Sequence, residues 1–309
     1  MILKGESCMK NKKIIKILMC LILLIIFICI LIGCIQIFPK KSIELTQLSE
    51  QGQRQMMGYL LKTSTGKLIV IDGGTVDDTN HLIEMINRKG KKVDYWFITH
   101  AHDDHAGAFV QIVNNTDIEI SNIYISLNEY DWYKENEPTR LDFTKTLMDT
   151  LNKEKIKNNV KAPYLNEKLK IDRLNVEILG IRNPEITENA GNEQSMVIKF
   201  DTGNTTLLIL GDTVINSSKK LLENQKERLK SDIVQISHHG QKGATEQLYK
   251  TINPEICLWP TTQWLWNNDV GSGENTGPWK TFETREWINK LNVKKNYIAK
   301  DGDITICIK

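Results

Sequence analysis

The chain has 309 residues, 40% hydrophobic and 25% charged, an ordinary globular composition with length for one large domain or two small ones. The formal net charge is +2, but residues 1–37 hold Lys4, Lys10, Lys12, Lys13 and Lys16 against Glu6 alone, a local +4 that leaves −2 for the remainder. The basic excess is therefore terminal, and the charge balance gives no argument for nucleic-acid binding.

Residues 1–16 read as a basic cytoplasmic N-terminus and residues 17–38 (ILMCLILLIIFICILIGCIQIF) as an apolar segment. About 20 apolar residues span a bilayer core, and the preceding lysines orient the N-terminus inward. The segment is expected to be a single-pass membrane anchor. The other reading is a lipoprotein signal starting at Met9, in which Leu31-Ile32-Gly33-Cys34 resembles a bacterial lipobox and Cys34 carries the lipid. Apolar residues after Cys34 favour the anchor. Either way, the cell membrane holds the protein and the folded part is extracytoplasmic. Only Cys257 and Cys307 lie beyond this segment. They form no metal knuckle, and they are either one disulfide or two free thiols.

Residues 39–54 read as a linker and 55–309 as the folded domain. GKLIVID (66–72) is a buried strand ending in the turn Asp72-Gly73-Gly74. TNHLIEMINRKG has helical periodicity with a glycine stop. VDYWFIT (93–99) is a strand, AGAFVQIVNN a helix, IEISNIYIS a strand, and 140–158 an amphipathic Lys-rich helix. LNVEILGI is a strand, then SMVIKF and TTLLILGD flank a hairpin signature, Asp201-Thr202-Gly203-Asn204. Residues 216–230 read as a charged helix. DIVQIS, EICLWP and the terminal hairpin NYIAKDGDITICIK are strands, separated by the helices GATEQLYKTI and ETREWINKL. This alternation predicts a layered α/β domain.

Three of the six histidines fall in THAHDDHAGAF (99–109), at a strand end. His100 and His102 point the same way from extended chain, so two imidazoles can share one divalent cation. A turn or helix start then carries Asp104 and His105 toward a second. Asp103 falls between ligand positions and is expected to cap the helix. Imidazole with carboxylate suits Zn2+, with Mn2+ or Fe as alternatives. Gly211-Asp212 and His238-His239-Gly240 also close predicted strands.

HAHDDH, with Asp72-Gly73-Gly74 before it and Gly211-Asp212 and a late histidine after it, resembles the signature of the metallo-β-lactamase fold superfamily over roughly residues 55–305. The resemblance implies an αβ/βα four-layer sandwich with a dinuclear metal site at one edge. It implies that Asp212 bridges the metals and that His238 completes the second site with Asp104 and His105. His239 is the other candidate there; spacing relative to Gly240 favours His238. The family usually has a further histidine, a ligand of the first metal, between HxHxDH and GD. Here no histidine lies between His105 and His238. The interval carries Gly191-Asn192-Glu193-Gln194-Ser195 instead. This N-x-x-S form with HHG is similar to the C-terminal hydrolase domain of competence DNA-uptake channel proteins, the ComEC-like branch. Asn192 or Ser195 is then expected to hold a water or a substrate oxygen, with one or two metals bound.

The implied activity is metal-dependent hydrolysis by a metal-bound hydroxide. Asp104 or Asp212 would orient the water and His239 would protonate the leaving group. The ComEC-like motifs favour a phosphodiester substrate; an ester, lactone or amide, or a metal-binding module without turnover, are the alternatives. Trp264 and Trp266, in WPTTQWLWNNDVGSGENTGPW (259–279), are candidate substrate-stacking residues. Residues 127–140 (LNEYDWYKENEPTR) lie where the fold often inserts a substrate loop. Neither stretch is basic enough to mark a nucleic-acid surface.

Overall fold

A computed structural model describes residues 19, 21–24 and 42–309. Most of the expected basic N-terminus and membrane or lipoprotein segment, including Cys34, lies outside the described residues. Among those described, no helix is long and apolar enough to cross a membrane. The chain divides into residues 1–41 and a compact unit, Ser42–Lys309, to which the elements below belong.

The first half runs β1 (Ile43–Gln47), β2 (Gly58–Lys62), β3 (Leu68–Asp72), α1 (Thr79–Lys89), β4 (Lys92–Val93), β5 (Tyr95–Ile98), α2 (Asp103–Asn115), β6 (Glu119–Ile120), β7 (Ile123–Ile125), α3 (Tyr130–Asn136), α4 (Leu141–Leu151) and β8 (Val160–Lys161). The second runs β9 (Lys168–Ile171), β10 (Leu174–Gly180), β11 (Val197–Asp201), β12 (Thr206–Ile209), α5 (Ile215–Asn224), β13 (Ile233–Gln235), α6 (Glu246–Ile252), β14 (Ile256–Trp259), α7 (Gln263–Trp266), α8 (Thr281–Asn289), β15 (Lys295–Ile298) and β16 (Ile304–Ile308).

Two seven-stranded sheets result, ordered β16-β1-β2-β3-β5-β7-β8 and β15-β14-β13-β12-β11-β10-β9. Their facing sides supply the central core: Leu45, Tyr59, Ile69, Ile71 and Phe97 against Val176, Ile198, Phe200, Leu207 and Ile209. The outer face of the first sheet packs under Leu82 and Ile86 of α1, Phe109 and Ile112 of α2, and Leu147 of α4. The second is covered by Leu221, Leu248, Ile252 and Ile288 from α5, α6 and α8. Inner strands such as LIVID of β3 are apolar on both faces because both faces are covered. Four layers, helix–sheet–sheet–helix, match the expected architecture.

Local readings shifted where patterns were short. The expected linker contains β1, paired antiparallel with β2 and β16; IELTQ alternates over too few residues to stand out. IEISNIYIS divides into β6, paired with β4, and β7, in the main sheet. The Lys-rich helix ends at Leu151, and the charged helix of 216–230 is α5, ending at Asn224. Residues 127–140 hold α3 and a turn, with Tyr133 buried in the core of the first half.

Strands β3, β5, β7 and β8 run parallel, as do β12 through β15. The histidines and aspartates of interest follow the C-terminal ends of β3, β5, β12 and β13, the usual place for ligand sites in parallel sheets. Cys257 is buried and Cys307 exposed, both as free thiols.

Candidate metal centre

The chain leaves β5 at Ile98, and His100 and His102 project from the extended link before α2. His102 is the helix N-cap by backbone conformation, and Asp104 and His105 occupy the first turn of α2. The helix is held close to the β3 turn: the Ala108 amide donates to the Gly74 carbonyl at 3.0 Å. A Cβ at Gly107 would lie 2.9 Å from the backbone of Thr75 and Val76, so glycine is required there. Asp103 does not cap the helix as expected. It accepts from Arg54 at 2.5 Å and from Arg140 at 2.6 Å, because its side chain points outward from the first turn.

Asp212 follows β12 through Gly211, whose φ of +57° and close approach to Thr99 and Ser195 favour glycine. Ser195 lies beneath this turn. Its hydroxyl accepts from the Asp212 amide at 2.9 Å and lies 3.4 Å from His100 Nδ1. Ser195 is as buried as the ligand-type residues it touches, and its hydroxyl is engaged with the Asp212 amide and His100.

His238 and His239 both have positive φ, 51° and 53°, ahead of Gly240 at 80°. Histidine is among the side chains that tolerate this region. The turn sends the two rings apart, and it is His239 that enters the cluster, not His238. His239 Nε2 lies 3.4 Å from Asp104 Oδ2 and 3.5 Å from Asp212 Oδ2. Its Nδ1 donates to the Pro260 carbonyl at 2.9 Å. His238 Nε2 instead meets the Asn192 amide nitrogen at 3.2 Å, 4.0 Å from Asp212.

The ligand-type atoms form two trios, His100–His102–Asp212 and Asp104–His105–His239, each within 4.8 Å. Asp212 reaches both, with Oδ2 3.9 Å from His100 Nε2 and Oδ1 3.3 Å from His105 Nε2. His100 Nε2, His105 Nε2, His239 Nε2, Asp104 Oδ1 and Asp212 Oδ1 are all buried without a hydrogen-bond partner. Orphaned buried atoms normally carry a large free-energy cost. Five of them converging on one space fit bound cations, and imidazole with carboxylate fits zinc.

Electrostatics agree. Burial alone would raise the Asp104 and Asp212 pKa values, yet the charges of His105 and His239 hold both well below the usual carboxylate range. Burial lowers that of His239, but Asp212 and Asp104 outweigh it and raise it to about 9. His105 is likewise driven well above its ordinary value, against burial, by Asp212 and Asp72. His100 is pushed well down by burial and by His105 and His102. Protons thus occupy part of the space a divalent cation would neutralise.

Asp72, read from sequence as a turn residue within the family signature and given no site role, is wholly buried. It accepts from His105 Nδ1 at 2.7 Å, from the Thr99 amide at 2.7 Å and from the Thr99 hydroxyl at 2.8 Å. A carboxylate ending the apolar strand LIVID was the available signal. Glu137 was missed too; it lies 2.6 Å from His102 Nε2. Gln55 was a third omission, donating to Asp104 Oδ2 at 3.2 Å from the segment before β2.

Of the tryptophans, Trp264 packs at a tilt of 60° against Trp279 and donates to the Gln53 carbonyl at 3.1 Å, two residues from Gln55. Trp266 packs edge-on against Trp259 and under the Arg285 guanidinium.

A family model described as the metallo-beta-lactamase superfamily matches residues 54–256. ComE operon protein 3 of Bacillus subtilis (strain 168) is 22% identical over 253 residues, 74% of this chain and 30% of that protein. The uncharacterized protein YcaI of Escherichia coli (strain K12) is 26% identical over 73 residues, 23% of this chain and 10% of that protein. The chain therefore spans under a third of either curated relative. Among solved structures, the metallo-beta-lactamase fold protein YhfI from Bacillus subtilis has a TM-score of 0.53 at 12% identity, covering 86% of this chain and 100% of that one. That likeness concerns the fold alone. With the family match extending over most of the folded unit, the chain belongs to the metallo-beta-lactamase superfamily.

Proposed function

We propose that the protein is a membrane-anchored, extracytoplasmic, metal-dependent hydrolase acting on a phosphodiester. The observation that carries the hydrolase reading is the pair of histidine–aspartate trios joined at Asp212, with their inward atoms unpartnered. Divalent cations bound there would lower the pKa of a water and polarise the scissile oxygen. Site one would draw on His100, His102 and Asp212, and site two on Asp104, His105, His239 and Asp212.

The remaining work falls to this chain's own groups. Gln55 holds Asp104 from the mouth side. His238, close to but outside the second trio, is poised as a proton acceptor: burial holds its pKa below the ordinary histidine value, and its Nε2 accepts from the Asn192 amide. Its Nδ1–H donates to the Lys242 carbonyl at 3.0 Å, which directs Nε2 toward Asn192 and the cleft. Arg54 and Arg140 bracket Asp103 at the entrance and remain 52% and 38% exposed. Their planar forks suit phosphate oxygens, which favours a phosphodiester over a neutral ester or lactone. The similarity to ComE operon protein 3 supports the same branch of the family.

The test is metal analysis of the purified full chain, with turnover measured on a bis-aryl phosphodiester, an aryl ester and a lactone. Phosphodiester turnover that a chelator abolishes and zinc restores is expected. Ester or lactone turnover alone would replace the substrate class, and bound metal without turnover on any of the three would favour a binding module. For location, cell fractionation and protease accessibility of Lys309 are expected to place the domain on the outer side of the membrane. Mass analysis of the wild-type chain separates the two readings: retention of residues 1–33 would favour the anchor, and a chain beginning at a lipid-modified Cys34 would favour the lipoprotein.

A further inference from the structure

We infer that Glu137 completes the first metal site as a positioning residue, fixing the tautomer of His102 where the family's intermediate histidine is missing. The inference rests on the metal reading above and concerns how that site is assembled.

Each of the other cluster histidines is gripped through Nδ1: His105 by Asp72, His239 by the Pro260 carbonyl, and His100 by the Thr99 and Ser195 hydroxyls. Each leaves Nε2 facing inward without a partner. His102 is the exception, because its Nε2 is the atom 2.6 Å from Glu137 Oε1. A carboxylate oxygen accepts, so Nε2 carries the hydrogen and Nδ1 keeps the lone pair. His102 is thereby set to offer Nδ1 to the cation that His100 and Asp212 face. A carboxylate behind a ligating imidazole also raises its basicity, and removing such partners typically costs about 10–100-fold in metal affinity.

Gly191 supplies the second, independent observation. A Cβ built there would fall 2.1 Å from Glu137 Oε1, 2.4 Å from Oε2 and 2.2 Å from His102 Nε2. The interval where the family carries its histidine therefore presents a bare backbone, and the Glu137 carboxylate fills that space. Glu137 Oε2 is itself buried without a partner. The glutamate is also well anchored. It ends α3 beside buried Tyr133, and Pro138 follows it, which disfavours further helix and turns the side chain toward α2. The same turn carries Arg140 to Asp103. Successive residues of HAHDDH, His102 and Asp103, are thus held by one connection, the segment expected from sequence to be a substrate loop.

The test reads zinc binding, not activity. Wild type, Glu137→Gln, Glu137→Ala and Gly191→Ala are stripped of metal as full-length chains. Each is titrated with zinc against a competing chelating dye, and folding is verified by circular dichroism. The expected result is a loss of about 10–100-fold in affinity for one zinc in Glu137→Ala, with the second zinc retained, and a smaller loss in Glu137→Gln, which keeps an acceptor oxygen. Gly191→Ala, whose Cβ would crowd both the Glu137 carboxylate and His102 Nε2, should lose the same zinc and checks that this contact lies at that site. If Glu137→Ala does not fold, Glu137→Gln, which leaves His102 undisturbed, decides the matter. Folded Glu137 variants that bind zinc like wild type would overturn the inference. Wild type that binds no zinc would instead overturn the metal reading beneath it.

Discussion

His238 and His239 are adjacent in the chain, yet only His239 joins the ligand cluster, 3.4 Å from Asp104, while His238 turns to Asn192 at 3.2 Å. Two successive left-handed residues drive the rings apart, and Gly240 completes the turn where a Cβ would meet the Trp259 ring at 2.8 Å. The neighbours should therefore behave differently when removed. His239→Ala is expected to lose zinc from the second site. His238→Ala is expected to keep its zinc and lose about 10²–10⁴-fold in turnover, the contribution of a proton acceptor at Nε2. Elemental analysis beside turnover separates the two, and zinc loss in His238→Ala alone would reverse the assignment.

Asp72 predicts a coupled effect on metal and stability. Its carboxylate serves His105 and the buried Thr99 amide together. Asp72→Ala would leave that amide unpaired, at about 1–3 kcal/mol. It would also free the His105 ring, with metal affinity falling about 10–100-fold. Urea unfolding of the metal-free variant and zinc titration report the two effects separately. A stability loss with unchanged zinc affinity would confine Asp72 to a structural role.

What was legible from sequence follows from what side-chain identity can carry. Histidines and acids at the ends of apolar strands announced the centre, because those residues are costly to place there without a ligand. The choice between His238 and His239 was not legible, since it depends on φ at two consecutive positions. Glu137 was hidden because topology, not spacing, brings it to His102 from 35 positions away. Ser195 was placed in the right neighbourhood, but its contacts with the Asp212 amide and His100 were not legible, because a motif position does not say which way a hydroxyl faces. The layers were readable from alternating strands and helices, whereas the five-residue β1 was too short to separate from a linker.

The tryptophan segment separates in a similar way. Trp266, wedged between Trp259 and Arg285, should behave as a packing residue. Trp266→Ala is expected to cost about 2 kcal/mol, below the 3–5 of a fully buried ring, with KM unchanged. Trp264, beside the segment that carries Gln55, should instead raise KM when changed to alanine, with zinc content intact. Equal KM in both variants would remove Trp264 from the substrate surface.

The raised His239 and His105 pKa values set the pH behaviour of the metal-free protein. Below pH 6.5, the ordinary histidine value, both folded and unfolded chains carry the His239 proton, and its pairing with Asp212 and Asp104 stabilises the fold in full. As pH rises from 6.5 toward about 9, the unfolded state has released that proton while the folded state still holds it, so stability declines. His105 contributes in the same direction. The depressed Asp104 and Asp212 act at the other end, their contribution being lost only as pH falls through their lowered values. Zinc must displace the histidine protons, so its affinity rises over the same neutral-to-alkaline window. The Tm of the metal-free protein should therefore fall between pH 6.5 and 9 while the shift in Tm produced by zinc grows, both read from one set of thermal scans. A zinc shift that stays constant across that window would mean that His239 and His105 are not the protonated partners displaced by the cation.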